Sequence, residues 1–332
     1  MSPLPAQTVL PRWRGFNLPY MIGFGRGGEF LEEDFRFAAE WGFNFIRLPL
    51  SYRYWTDTSD FTKADESVLE RIDHAVTMGQ KYGLHVCVNL HRAPGFSVSR
   101  EFEEPFNLWK DDEALEAFCF QWRLFAKRYR GIPSERVSFN LVNEPKGESE
   151  LMSRADHERV IRAAVGRIRE IDPARLIIID GITWGSTPLP ELTDLGVAQS
   201  CRAYWPHAIS HHNARGASAD AAVPVWPGVL VDGKSWDRAV LEERYRPFVE
   251  LAREGVGVHC GEGGCFNRTP HEIFLAWYRD VLEILTEHNI GHALWNLRGP
   301  FGVLDSDRTD VNYEDWHGHK LDRKLLMLLQ AF

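Results

Sequence analysis

The sequence predicts a single (β/α)8 barrel. Three observations carry that prediction. Eight short apolar or β-branched runs recur along the 332 residues, a longer stretch with helical spacing follows most of them, and polar side chains stand at the end of run after run. Strands that alternate with helices pair in parallel and are covered by those helices. Eight such units fit a closed barrel of this length.

The elements follow in order. "RGFNL" (14–18) is the first strand and "EEDFRFAAEW" (32–41) the first helix. "FNFIRLPL" (43–50) precedes "ESVLERIDHAVTMGQKYG" (66–83), whose apolar residues fall three and four apart and which ends on glycine, a helix stop signal. "LHVCVNLH" (84–91) leads to "DEALEAFCFQWRLFAKRYRG" (112–131), and "VSFNLVNEP" (137–145) to "ADHERVIRAAVGRIREID" (155–172). "RLIIIDG" (175–181) and "VAQSCRAYW" (197–205) are strands five and six, with "RAVLEERYRPFVELAREG" (238–255) as the next helix. "VGVHCGEGG" (256–264), "TPHEIFLAWYRDVLEILTEHN" (269–289), "HALWNLRG" (292–299) and "HKLDRKLLMLLQAF" (319–332) complete the series. A doubly wound sheet would instead want a glycine-rich phosphate turn after an early strand. "GFGRGG" (23–28) matches that pattern poorly. No linker or low-complexity tract divides the chain, so residues 1–332 are expected to form one domain. A long loop after strand six, about 206–236, is expected at the mouth, where such loops shape substrate sites.

Composition narrows the function. A net charge of -9 without a basic stripe disfavours nucleic acid as a partner. No apolar run approaches the roughly 18 residues that a membrane helix needs. The start, "MSPLPAQTVLPRWRG", has neither a basic n-region nor an apolar h-region, and the five cysteines lack paired spacing. The chain therefore reads as cytoplasmic, or as secreted if a signal was removed. Oligomeric state is not readable. Most of the twelve tryptophans read as packing, and the others can line a cleft with flat apolar faces that match the C–H faces of sugar rings.

In a barrel the chemistry sits at the C-terminal ends of the strands. There stand Arg47 on strand two, Asn89 and His91 on three, and Asn143 and Glu144 on four. Asp180 and Trp184 follow strand five. Arg202 and Tyr204 lie on six, Glu262 on seven and Trp295 on eight. Taken alone, each has a plainer reading: a solvated glutamate or helix cap, an ion-pair partner, a satisfied core histidine, a packed indole. Their joint placement favours chemistry. Turning two carboxylates inward costs several kcal/mol unless they are paired and hydrogen-bonded.

The motifs "FIRLPL", "VNLH", "LVNEP", "HCGEGG" and "ALWNLRG", in this order, resemble glycoside hydrolase family 5, the cellulase-like barrels, over nearly the whole chain. By that resemblance Glu144 is the acid/base and Glu262 the nucleophile. Arg47, His91, Asn143, Tyr204 and Trp295 then hold the first sugar and the nucleophile. Arg202 departs from the pattern, since many members carry a histidine two residues before the strand-six tyrosine. It is counted with the substrate-binding residues, where it either alters the sugar accepted or pairs with a carboxylate; Trp184 is counted with them too, with Trp205 and Trp226 as weaker subsite candidates.

The implied reaction is hydrolysis with retention by two carboxyl groups roughly 5–5.5 Å apart. Arg47 and Tyr204 are expected to favour an ionised Glu262, while burial and the charge of Glu262 raise the pKa of Glu144. Pro145 is expected to hold Glu144 in extended geometry. No cofactor is expected. A metal site from His207, His211, His212 and Asp220 is disfavoured because the segment reads as loop. No lysine stands at a strand end, against aldolase-type chemistry, and the two glutamates argue against a barrel that only binds carbohydrate. The expected substrates are β-linked oligosaccharides or small glycosides of the β-glucoside or β-mannoside type. An endo-acting glucanase or mannanase is the alternative.

Overall fold

The structure, a computed structural model, describes residues 9–23, 28–99, 103–214 and 222–332. The barrel strands are β1 (Arg14–Asn17), β2 (Phe45–Ser51), β3 (His85–Ala93), β4 (Val137–Asn140), β5 (Ile177–Asp180), β6 (Ala198–Ala203), β7 (Val258–Gly263) and β8 (Gly291–Leu294). All neighbouring pairs are parallel, and β1 closes the ring by pairing with both β2 and β8. The helices are α1 (Glu32–Glu40), α2 (Glu66–Lys81), α3 (Asp112–Arg128), α4 (Arg154–Arg169), α5 (Arg238–Arg253), α6 (His271–Glu287) and α7 (Arg323–Ala331). Side-chain caps fix several starts. Asp65, Asp237 and Asp322 each accept a first-turn N–H, and Ser153 with Asp156 forms a capping box on α4.

Strands covered on both faces must be apolar throughout, which is why each reads as a continuous run. The period of two still separates the faces. Ile46, Leu48, Val86, Val88, Phe139, Ile177 and Ile179 join the large core beneath the helices. Phe45, Cys87, Ile178, Ala198 and Ala293 form a small cluster inside the barrel, closed from below by Leu10 and Trp13. One step further along the same inward rows come Arg47, Asn89, Asn140, Asp180 and Ser200, all buried. The barrel thus has an apolar lower layer and a polar upper one, and the chemistry stands on the upper layer.

Three expectations are corrected. The fourth strand ends at Asn140, not Pro145; beyond it only the Leu141 and Asn143 N–H groups still bond the backbone of the neighbouring strands. The last helix begins at Arg323, and His319–Leu321 pairs with Glu314–Trp316 as a hairpin. The 206–236 segment is partly ordered into a helical turn, His207–Ser210, and a hairpin of Val229–Val231 with Lys234–Trp236. Within that segment residues 215–221, including Asp220, lie outside the described residues, as does most of the glycine cluster at 23–28.

Burial pushes eight histidines below the usual imidazole range, six of them furthest. His85 and His292 are lowered to about 3, His157 and His211 to about 4, and His91 and His259 lie well below the usual imidazole range. The unfolded chain binds protons near pH 6.5 that the native chain refuses. Stability therefore falls as pH drops below about 6.5, by up to ~1.4 kcal/mol per pH unit for each such group. Glu144, raised to about 8, and Asp34, also raised by burial, work the other way but are fewer than the histidines. Denaturation at pH 7, 6 and 5 should show a steadily falling midpoint, and calorimetry should show proton uptake on unfolding at pH 5. A midpoint that is flat over this range would contradict the account.

Candidate active site

Six strand ends converge on a cavity of about 520 Å³ lined by His91, Glu144, Trp184, Arg202, Tyr204, Trp205, His207, His211, Glu262, Trp295 and Phe301. A larger hollow of about 770 Å³ lies beside it and shares His207 and His211. Its other walls include Val223, Val225 and Leu230, and among the described residues no carboxylate or arginine lines it.

Glu262 is placed by a bulge. Val258 and Cys260 pack outward into the large core, so strict alternation would turn Glu262 outward as well. The register of β7 slips between Cys260 and Glu262 against β6, and between Cys260 and Gly263 against β8. The extra residue turns the carboxylate into the barrel. Gly261 makes the slip possible, since a Cβ there would stand 2.6 Å from Ser200 Oγ.

The carboxylate of Glu262 is then held from both sides. Arg47 Nη1 donates to Oε1 at 2.5 Å, and Tyr204 donates its hydroxyl to Oε2 at 3.2 Å. The Tyr204 hydroxyl stays protonated, because burial and the charges of Glu262 and Glu144 hold it well above the usual phenol range. Arg47 is itself fixed by Asn17 Oδ1 at 2.9 Å, Asn140 Oδ1 at 2.8 and 3.0 Å, and Asn143 Oδ1 at 2.8 Å. His91 Nδ1 lies 3.9 Å from Glu262 Oε1. Burial, then Arg47, Arg92 and Arg202, keep that ring neutral, so the contact is not an ion pair. The ring stands 5.3 Å from the Trp295 indole.

Glu144 stands opposite, three residues past Leu141, whose N–H makes the last backbone bond of that segment to β5. Its φ is +47, in the left-handed region. This corrects the expectation that Pro145 holds it extended. Tertiary contacts outweigh the local preference. The Glu144 N–H donates to Asp180 Oδ2 at 2.8 Å, and Pro145 O accepts from Trp184 N–H at 3.0 Å. Thr183 and Trp184 are also left-handed, so two strained loops brace each other. Such residues cost about 1–3 kcal/mol each and persist where the surroundings dictate them. The Glu144 carboxyl is pushed up to about 8, first by burial and then by Glu262, with Arg202 opposing.

Arg202 connects these groups. Nε donates to Glu144 Oε1 at 3.0 Å, Nη2 donates to Asp180 and to Asn143 Oδ1, and Nη2 lies 3.4 Å from Glu262 Oε1. Asn143 is thereby committed to two guanidinium groups through its oxygen, and its amide nitrogen stands 3.3 Å from His91 Nε2.

Trp184 is 43% exposed and offers an open indole face at the rim. Trp205 lines the cavity, anchored by its Nε1 to Ser186 and stacked on His207 at 4.3 Å. Trp226 does not belong to the site: it is buried, with Nε1 bonded to Asp280. Among the described residues no group of three His, Cys, Asp or Glu side chains could hold a metal ion. No helix among them is long and apolar enough to cross a membrane. The five cysteines are buried free thiols.

Sequence reasoning passed over Asn17, Asn140 and Phe301, and noted Asp180 without giving it a role. Asn17 and Asn140 had one visible signal, an amide inside an otherwise apolar run. Asp180 ended its run just as Glu144 was expected to.

Residues 6–299 match the model of cellulase, glycosyl hydrolase family 5. Endoglucanase C of Acetivibrio thermocellus is 25% identical over 310 residues, covering 85% of this chain and 88% of its own length. Cellodextrinase A of Ruminococcus flavefaciens is 27% identical over 269 residues, covering 78% and 76%. A solved structure described as a glycoside hydrolase superposes with a TM-score of 0.93 at 41% identity, covering 96% of this chain and 99% of that one. An endoglucanase from Thermotoga maritima shares the fold, with a TM-score of 0.76 at 22% identity over 96% of each chain.

Proposed function

The chain belongs to glycoside hydrolase family 5, and from that premise we propose that it is a retaining β-glycosidase with Glu144 as acid/base and Glu262 as nucleophile. One observation carries this reading. Two carboxylates from β7 and the end of the β4 segment face one cavity and contact neighbouring nitrogens of a single guanidinium, that of Arg202. Retention requires carboxyl groups about 5–5.5 Å apart, and inversion a wider gap.

In the first half-reaction a Glu262 oxygen attacks the anomeric carbon. The bond to the leaving oxygen breaks, and that oxygen takes the proton of Glu144. In the second half Glu144, now ionised, takes a proton from water. The water oxygen attacks the anomeric carbon, and Glu262 departs as a carboxylate. The raised proton affinity of Glu144 supports its role as the acid. Arg47 and Tyr204 hold the nucleophile, and Trp295 offers the first sugar a flat face beside His91.

The substrate proposed is a β-linked oligosaccharide or small glycoside of gluco or manno configuration. The cellodextrinase relative and the cavity, walled on one side by His207 and His211, support short chains. The endoglucanase relative supports the second reading, internal cleavage of a β-1,4-glucan. A screen of aryl β-glycosides and oligosaccharides, with proton NMR of the first-formed anomer, tests the mechanism. The β-anomer should appear first, before mutarotation. First appearance of the α-anomer would rule out retention. A fall in polymer viscosity that outpaces release of reducing ends would select the endo reading.

A further inference from the structure

Arg202 was expected among the substrate-binding residues, but its donors are spent. Nε–H goes to Glu144 Oε1 at 3.0 Å. Nη1 donates to Ser200 Oγ at 2.9 Å and to the Cys201 carbonyl at 3.0 Å. Nη2 donates to Asn143 Oδ1 at 3.0 Å and to Asp180 Oδ2, with Glu262 Oε1 at 3.4 Å. A guanidinium has five N–H groups in a fixed fork, and all five are occupied here. Its side chain is 1% exposed. The channel for it is cut by glycines: a Cβ at Gly185 would stand 2.6 Å from Arg202 Cγ, and one at Gly261 3.2 Å from Nη1. No N–H remains for a sugar hydroxyl.

We propose that Arg202 is a positioning residue that, with Asp180 as its counter-charge, fixes both glutamates and keeps the buried site electrically balanced through both halves of the reaction. The proposal rests on the assignment of Glu144 and Glu262 above. The balance can be counted. Before the first step Arg47 and Arg202 are cationic, Asp180 and Glu262 anionic, and Glu144 protonated, so the sum is zero. Once Glu262 is an ester and Glu144 has given up its proton, Arg47 and Arg202 face Asp180 and Glu144, and the sum is again zero. A buried site with uncompensated charge is costly, so each proton position is favoured at the stage that needs it.

The other groups around the cavity do not upset the count. His91, His207 and His211 are held neutral, chiefly by burial. Tyr204 and the buried thiol of Cys260, on the strand beside Arg202, stay protonated. Arg92 does not line the cavity and points its donors to the Ile22 carbonyl and to Ser97. Lys146, two residues past Glu144, lines a separate hollow beside Gly95 and Phe106. Burial works against the charge of Arg202, and Asp180, Glu262 and Glu144 outweigh it. A neutral side chain in its place would leave the resting site with one excess negative charge.

The test is a charge cycle read through pH profiles. Arg202→Met should move the basic limb of kcat/KM upward by about one pH unit or more, because Glu144 then releases its proton less readily. Its kcat should fall more than its KM changes. Asp180→Asn should move the same limb downward. The double variant Arg202→Met/Asp180→Asn removes both buried charges and should return the limb to near its wild-type position; it also leaves neither partner unpaired if a single variant folds poorly. Arg202→Lys keeps the charge but loses the fork, so the limb should stay while kcat drops. Limbs unmoved in every folded variant would overturn the proposal. Anion rescue of Glu262→Ala, carried out with Arg202 intact, shows separately whether the underlying assignment of the glutamates stands.

Discussion

Replacing Glu262 by alanine should reduce turnover of every substrate by on the order of 10⁵-fold, the scale seen when a covalent nucleophile is removed, and sodium azide should restore a large part of it. The physical basis is the pocket left behind. Arg47 Nη1 and the Tyr204 hydroxyl, which hold the carboxylate at 2.5 and 3.2 Å, would both point into that space. A small anion is drawn to the same donors. It can attack the anomeric carbon from the face that Glu262 used, while Glu144 protonates the leaving oxygen as before. With no second displacement, the product from a β-aryl glycoside is the α-glycosyl azide. Glu262→Gln keeps the shape but fills the space, so it should be equally inactive and not rescued. Removing one member of a buried ion pair costs about 3–5 kcal/mol, so thermal melting must accompany the assay. A folded Glu262→Gln enzyme with near wild-type rates on all accepted substrates would end the assignment. So would rescue that yields the β-azide.

Most of the barrel was legible because its physics is local. Parallel strands covered by helices need apolar residues on both faces, and the eight runs from Arg14 to Leu294 follow from that. What depended on distant contacts was less visible. Nothing near Pro145 announces that Glu144 is left-handed; Asp180, thirty-six residues on, dictates it through one N–H. Simple alternation along "VHCGEG" puts Glu262 on the same face as Cys260, and only the slip at Gly261 turns it inward. The glutamates were found through their place at strand ends and through the family's motif order, not through the face of the strand on which alternation puts them. Asn17 and Asn140 were passed over because a single amide in an apolar run carries no sign of its partner. Both amides turn out to grip Arg47. Arg202 was seen as a departure, but its reach to four acidic or amide side chains on three other strand ends is a property of the closed ring.

Glu144→Gln should split substrates by leaving group and erase the basic limb of the pH profile. Glu144 is pushed up to about 8 by burial first and by the charge of Glu262 second. As general acid it works only while protonated, so kcat/KM should fall as pH rises through that value. Glutamine carries no such proton. For oligosaccharides and alkyl glycosides, whose leaving oxygens need protonation, the loss should be about 10³-fold or more, within the range for removal of a general acid. For a dinitrophenyl glycoside the leaving phenolate is already stable, and formation of the glycosyl–enzyme should be little affected. The second half-reaction still lacks a base, so that intermediate should accumulate and be visible as a burst of phenolate and as an added sugar mass on Glu262. Azide should speed its breakdown, because an anion attacks without giving up a proton, and the product should now be the β-azide. The two variants thus give azides of opposite configuration, which separates the two carboxylates without any further structure. A variant that slows both leaving-group classes equally and keeps its basic limb would show that Glu144 only binds. The proton that protonates the leaving oxygen would then have to come from another group.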